Sequence, residues 1–142
     1  MRILLDSNIF ISALLVEGNE RHLIEKALSS RHTLVLTDLI AEEIERFLSR
    51  KLSKNKSVKA RALWVTLQTS PSVYRKEKHQ YKKLLFKAQR FINLQDSPIL
   101  ATGFQEEINA VVTGDKDFLE NKKLQHLRRK KIFTSREIIP SL

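Results

Sequence analysis

The sequence predicts an α/β protein, a three-layer α/β/α sandwich on a central, mainly parallel, twisted sheet. Three observations predict it. Short apolar runs of strand length alternate with longer segments whose apolar residues recur at helical spacing. The segments between runs are long enough to hold the helical crossovers that parallel neighbours require. The 142 residues, 42% hydrophobic with three Gly and three Pro, suit one domain spanning 1–142 with a real core, and no linker or repeat interrupts them.

RILL at 2–5 is the first strand, and the apolar stretch IFISALLV at 9–16 opens the helix after it, with Asp6 placed to cap that helix. Leu23, Ile24, Ala27 and Leu28 form a helical stripe before the second strand, TLVL at 33–36. Leu39, Ile40, Ile44, Phe47 and Leu48 form the next stripe. Pro71 ends a helix running from about Lys56 to Thr69, and SVYR at 72–75 reads as a short edge strand. Tyr81, Leu84, Leu85, Ala88 and Phe91 repeat the helical spacing. Asp96 stands at the mouth of a further helix, where Pro98 fits the first turn and Ile99, Leu100 and Phe104 the apolar stripe. AVV at 110–112 and KIF at 131–133 are the remaining strand-length runs.

The absence of cysteine excludes a disulfide framework, a thiolate zinc site and a thiol nucleophile, and it suits a reducing, cytoplasmic setting. The longest apolar run, 9–16, is too short to span a bilayer, and Met1 leads into RILLD rather than a signal-peptide core. No membrane partner is expected. The formal charge is +10, unevenly placed: residues 49–91 carry 13 Lys and Arg against the single acid Glu77. A polyanion is the natural partner of such a stretch, since each phosphate neutralised releases counterions. A solvated face kept soluble by lysines is the alternative.

In open parallel sheets ligands bind beyond the carboxyl ends of the strands, so the residue after each apolar run matters most. Asp6 follows RILL; Thr113, Gly114, Asp115 and Asp117 follow AVV, with Gly114 letting the backbone bend. On the helix after Thr37, Glu43 lies roughly 60° from the centre of the apolar stripe, whereas Glu42 and Glu45 lie more than about 130° away, on the water side. A carboxylate beside the core requires a cationic partner or a proton. Each acid has a plainer reading: Asp6 and Asp96 as helix caps, Asp117 as a first-turn acid, Glu43 in an ordinary ion pair. Together, four acids from separate elements converge on one crevice, and like charges about 4 Å apart cost about 4 kcal/mol at an effective dielectric of 20. A divalent metal resolves that repulsion. Oxygen ligands alone, with His22, His32, His79 and His126 at no ligand spacing, point to Mg²⁺ or Mn²⁺.

LLDSNIFISALL, TDLIAEEIERFL, DSPILATG, VVTGDKDFL and the tail KKIFTSREIIPSL, in that order, resemble the PIN-domain family of metal-dependent ribonucleases. Members of that family include the toxins of bacterial toxin–antitoxin pairs. The resemblance runs nearly end to end and implies a PIN-like fold. It implies Asp6, Glu43, Asp96 and Asp115 as the catalytic and metal-binding quartet, with Asp117 as an auxiliary metal-site acid and Asn8 and Thr113 orienting them. In the tail, Thr134 and Glu137 are spaced for a capping box. Ser7 stands where many relatives have Thr, and Ser-Pro follows Asp96 where toxin relatives often carry small apolar residues.

The implied reaction is metal-assisted hydrolysis of RNA phosphodiesters, endonucleolytic, with no amino-acid nucleophile. Lys82, Lys83, Lys87 and Arg90 are the expected RNA-backbone contacts, and Trp64, Tyr74 or Tyr81 the candidates for base stacking, with Trp64 and Tyr81 better suited to the core. The expected partners are RNA, a cognate antitoxin protein and a second copy of the chain as a homodimer. A housekeeping RNA-processing nuclease is the alternative role. A dehalogenase-like phosphatase with Asp6 as nucleophile is disfavoured, because Asn8 cannot donate the proton that its second Asp supplies. No Gly-rich phosphate loop is present either. A non-catalytic RNA-binding module would be supported by a missing acid, and all four are present.

Overall fold

In the computed structural model, residues 1–50 and 54–142 are described, and Lys51 of the basic stretch lies outside them. Among the described residues, five strands hydrogen-bond into one sheet and every neighbouring pair runs parallel. In chain order the first half runs β1 (Arg2–Leu5), α1 (Ser7–Leu15), α2 (Asn19–Ser29), β2 (Thr33–Thr37), α3 (Asp38–Leu48), α4 (Lys54–Thr69) and β3 (Val73–Lys76). There follow α5 (Lys78–Tyr81), α6 (Leu85–Gln89), α7 (Ser97–Gly103), β4 (Ala110–Val112), α8 (Lys116–Leu119), α9 (Gln125–Lys130), β5 (Ile132–Phe133) and α10 (Ser135–Ile138).

The strand order is β3-β2-β1-β4-β5, so the chain winds outward from β1 to one edge, then returns past it to build the other. Right-handed crossovers place the helices of the two halves on opposite faces, giving the α/β/α sandwich. The central strands are buried on both faces, which is why they read as unbroken apolar runs: Ile3, Leu4, Leu5, Leu34, Val35, Leu36 and Ala110 to Val112 are all in the core. The edge strand expected at 72–75 is β3, paired with β2 and half exposed.

Local chemistry sets the ends of the elements. Thr37 ends β2 and its hydroxyl accepts the Ile40 amide at 3.1 Å, so α3 begins without a loop. Helix α4 stops at Thr69, two residues before Pro71. Pro98 lies in the first turn of α7, and the Thr134–Glu137 capping box forms at α10.

Two expectations change. The stripe from Tyr81 to Phe91 is not one helix: α5 passes into a 3₁₀ turn at Lys82–Leu84 and then into α6. Tyr81 is buried and its hydroxyl donates to Asp38 Oδ1 at 2.6 Å, and this tertiary anchor overrides the local spacing. Gly114 has no positive φ, and an added Cβ would meet nothing within 4 Å, so neither backbone nor space demands glycine there. Gly103 is the glycine the packing requires, because a Cβ on α7 would come within 2.8 Å of the Val111 side chain on β4.

Candidate metal centre

The sheet order reverses between β1 and β4, and the carboxyl ends of those two strands hold the acids. Leu5 registers with Val112, so the next residues, Asp6 and Thr113, lie side by side. Asp6 N–H donates to Val112 O at 3.0 Å. The Thr113 hydroxyl donates to Asp6 Oδ2 at 2.8 Å and accepts the Asp115 amide at 3.0 Å, tying two acids to one buried side chain. Oδ1 of Asp6 accepts from the Ser7 amide at 2.7 Å and its hydroxyl at 3.3 Å. Asp6 does cap α1, yet it also faces the crevice.

Asp96 precedes α7, but its carboxylate makes no capping bond. It is held instead by Asn93, whose Nδ2 donates to Asp96 Oδ2 at 2.7 Å and to Asp117 Oδ2 at 3.3 Å, while Asn93 Oδ1 accepts the Asp96 amide at 3.0 Å. Asp115 caps α8 by accepting the Asp117 amide at 2.9 Å. Asp96, Asp115 and Asp117 each offer a carboxylate oxygen within 4.8 Å of the others.

Asp6, Glu43, Asp96 and Asp115 all line one open cleft of about 620 Å³, together with Asn8. The cleft has an apolar wall of Ile11, Leu39 and Phe47 and two cations, Arg46 and Arg50. Glu43 is exposed, so the burial argument for its partner does not hold; its position on the crevice side of α3 does. Asn8 lines the cleft but makes no hydrogen bond to the carboxylates among the described residues. Asp117 lines the neighbouring cleft, yet its carboxylate lies within 4.8 Å of those of Asp96 and Asp115 and shares the Asn93 amide with Asp96.

The electrostatics agree with the geometry. Burial pushes the Asp6 carboxyl above its usual range; the Thr113 and Ser7 hydrogen bonds oppose the shift, and the charges of Asp96 and Glu43 reinforce it. Burial likewise raises Asp96, against the Asn93 hydrogen bond and with the charges of Asp115, Asp117 and Glu43. Carboxylates that repel one another and offer only oxygen are the donor set of a hard divalent cation.

Sequence reasoning missed Asn93 and Arg46, and counted Arg50 only as part of the basic stretch 49–91. It also left Glu45 free in water, whereas the Trp64 indole of α4 donates to Glu45 Oε1 at 2.6 Å. Trp64 and Tyr81 belong to the core, and Tyr74 is part exposed with its hydroxyl accepting from Gln80 at 2.8 Å. Lys82, Lys83, Lys87 and Arg90 are all exposed, and the Lys87 ammonium lies 4.6 Å from the centre of the Phe104 ring.

Fold and site together define a doubly wound α/β protein whose ligand crevice, at the switch point, is lined with carboxylates. The chain matches the PIN domain family model over residues 3–124 and belongs to that family, whose fold is in general that of nucleases that use divalent metals. No curated protein matches the chain. Among the described residues, no helix is long and apolar enough to cross a membrane.

Proposed function

We propose that this chain is an Mg²⁺- or Mn²⁺-dependent endoribonuclease and the toxin of a toxin–antitoxin pair. The observation that carries the nuclease reading is the convergence of Asp6, Glu43, Asp96 and Asp115, from four separate elements, on one cleft. Those four carboxylates would hold the ion, with Asp117, whose carboxylate lies within 4.8 Å of those of Asp96 and Asp115, as an auxiliary acid. Bound there, the ion supplies a water activated near neutral pH and neutralises charge on the phosphate.

The protein's own residues hold and orient. Ser7 and Thr113 fix both oxygens of Asp6, and Asn93 fixes one oxygen of Asp96, so each acid presents remaining lone pairs in a set direction. Arg46 and Arg50 at the cleft, and Lys82, Lys83, Lys87 and Arg90 beyond it, are the contacts for the RNA backbone. The toxin role rests on the family resemblance of the five ordered motifs, and an antitoxin segment bearing Arg or Lys would fit the acidic cleft.

Asp6→Asn and Asp96→Asn, which keep shape and remove charge, are expected to abolish metal-dependent RNA cleavage with the thermal unfolding profile retained. Undiminished cleavage by both purified variants would overturn the metal-site reading. Expression of the chain alone that never slows growth, or an adjacent reading frame encoding no small DNA-binding protein, would argue instead for a housekeeping nuclease.

A further inference from the structure

We infer that the cleft beside Phe86 is a base-stacking subsite for single-stranded RNA, joined to the carboxylate crevice by a track of cations on either side of α6. This inference rests on the ribonuclease reading. Phe86 is 83% exposed, while Trp64 and Tyr81 are 2% and 1% exposed. It forms part of a cleft of about 570 Å³ with Lys78, Lys82, Leu85 and Gln89.

Gln89 also lines a second cleft, of about 500 Å³, whose walls include Arg90, Lys116 and Lys123 along with Asn93 and Asp117. Asn93 in turn donates to Asp96, which lines the carboxylate crevice. Three open clefts therefore lie in series, each sharing a residue or a hydrogen bond with the next. A small ligand fills one of them; an extended polymer can occupy all three.

The chemistry along the series selects the polymer. Single-stranded nucleic acid sites combine a cationic groove that follows the phosphates with an aromatic face for a base. Lys78 and Lys82 flank Phe86, and Arg90, Lys116 and Lys123 continue toward the acids. An acidic protein surface would match the cations and bury the ring simply as an apolar group, whereas a stacked nucleotide uses the cations and the π face itself. Any base has a π face, so the subsite holds RNA without selecting its sequence.

The test uses the full chain with Asp6→Asn, in chelator, so that nothing is cut, titrated with short oligouridylates carrying one 2-aminopurine at successive positions. Quenching of the probe is expected at one position on binding. Phe86→Ala is expected to abolish that quenching and weaken binding roughly tenfold. Phe86→Tyr and Phe86→Trp should retain both, and Phe86→Leu, apolar but without a π face, should behave as Phe86→Ala. Unchanged affinity and quenching in Phe86→Ala overturn the subsite alone. So does full binding by Phe86→Leu, or a change confined to self-association in sedimentation, which marks a protein interface. A parent chain that binds no single-stranded RNA overturns the ribonuclease reading and the subsite with it. If Asp6→Asn fails to fold, the same Phe86 substitutions in the otherwise wild-type chain in chelator give the same comparisons.

Discussion

Thr113 donates its hydroxyl to Oδ2 of Asp6 at 2.8 Å, across the seam where β4 and β1 lie side by side. Thr113→Val keeps the shape and removes both bonds the hydroxyl makes, to Asp6 and from the Asp115 amide. Mn²⁺ affinity, read by calorimetry, is expected to fall roughly 10- to 100-fold. Thr113→Ser should stay close to wild type, because the hydroxyl is the operative group.

The raised carboxyls of Asp6 and Asp96 make the stability of the metal-free protein depend on pH. Both hold their protons more tightly folded than unfolded, where the ordinary value is 3.8. Their stabilising contribution is therefore complete below 3.8 and is lost as pH rises through the folded values above it. Melting curves taken from acid toward neutral pH should show this loss in chelator. Saturating Mg²⁺ or Mn²⁺, which binds the ionised forms, should reverse its sign.

The three glutamates of α3 should separate cleanly. Glu43→Gln is expected to abolish cleavage with stability kept, and Glu42→Gln to match wild type in both. Glu45→Gln should cleave RNA normally but lose about 1 kcal/mol, because the amide oxygen accepts the Trp64 indole without the carboxylate's charge. That loss corresponds to a melting point roughly 2–4 °C lower. Equal inactivation of all three would refute the assignment of faces on α3.

For the basic face, Lys82, Lys83, Lys87 and Arg90 changed together to Gln should weaken single-stranded RNA binding and flatten its salt dependence. Each phosphate left without its cation lowers the slope of log K against log salt by about 0.7. A wild-type slope in the quadruple variant would mean these cations only solubilise the protein.

The two glycines flanking β4 should respond in opposite directions. Gly103→Ala pushes a methyl into Val111 and is expected to cost about 1–3 kcal/mol in urea unfolding. Gly114→Ala meets open space with an ordinary φ and should be neutral or stabilise by about 0.5 kcal/mol.

The strands were legible because the middles of central strands covered on both faces are apolar, so RILL, TLVL and AVV stand out from their neighbours. Asp6 was legible for a related reason, as the first polar residue past RILL, and Asp115 stands just beyond AVV; Glu43 was legible from the wheel of α3, and Asp96 from the helix signal that follows it. Asn93 was not, since a loop residue whose two ends bond to different partners leaves no period to read. Nor was the Glu45 bond, because a wheel drawn for α3 contains no α4. The break at Lys82–Leu84 escapes for the same cause, as it depends on where Tyr81 finds Asp38.

The seam between β1 and β4 joins residues 107 apart in the chain through the Thr113–Asp6 bond. A ribosome making this protein releases Asp6 and Glu43 well before Asp96 and Asp115. Until β4 emerges and docks, the two halves of the acidic cleft exist on different stretches of unfinished polypeptide. The non-local order of the sheet thus acts as a timer: the crevice is complete only once β4 has docked beside β1.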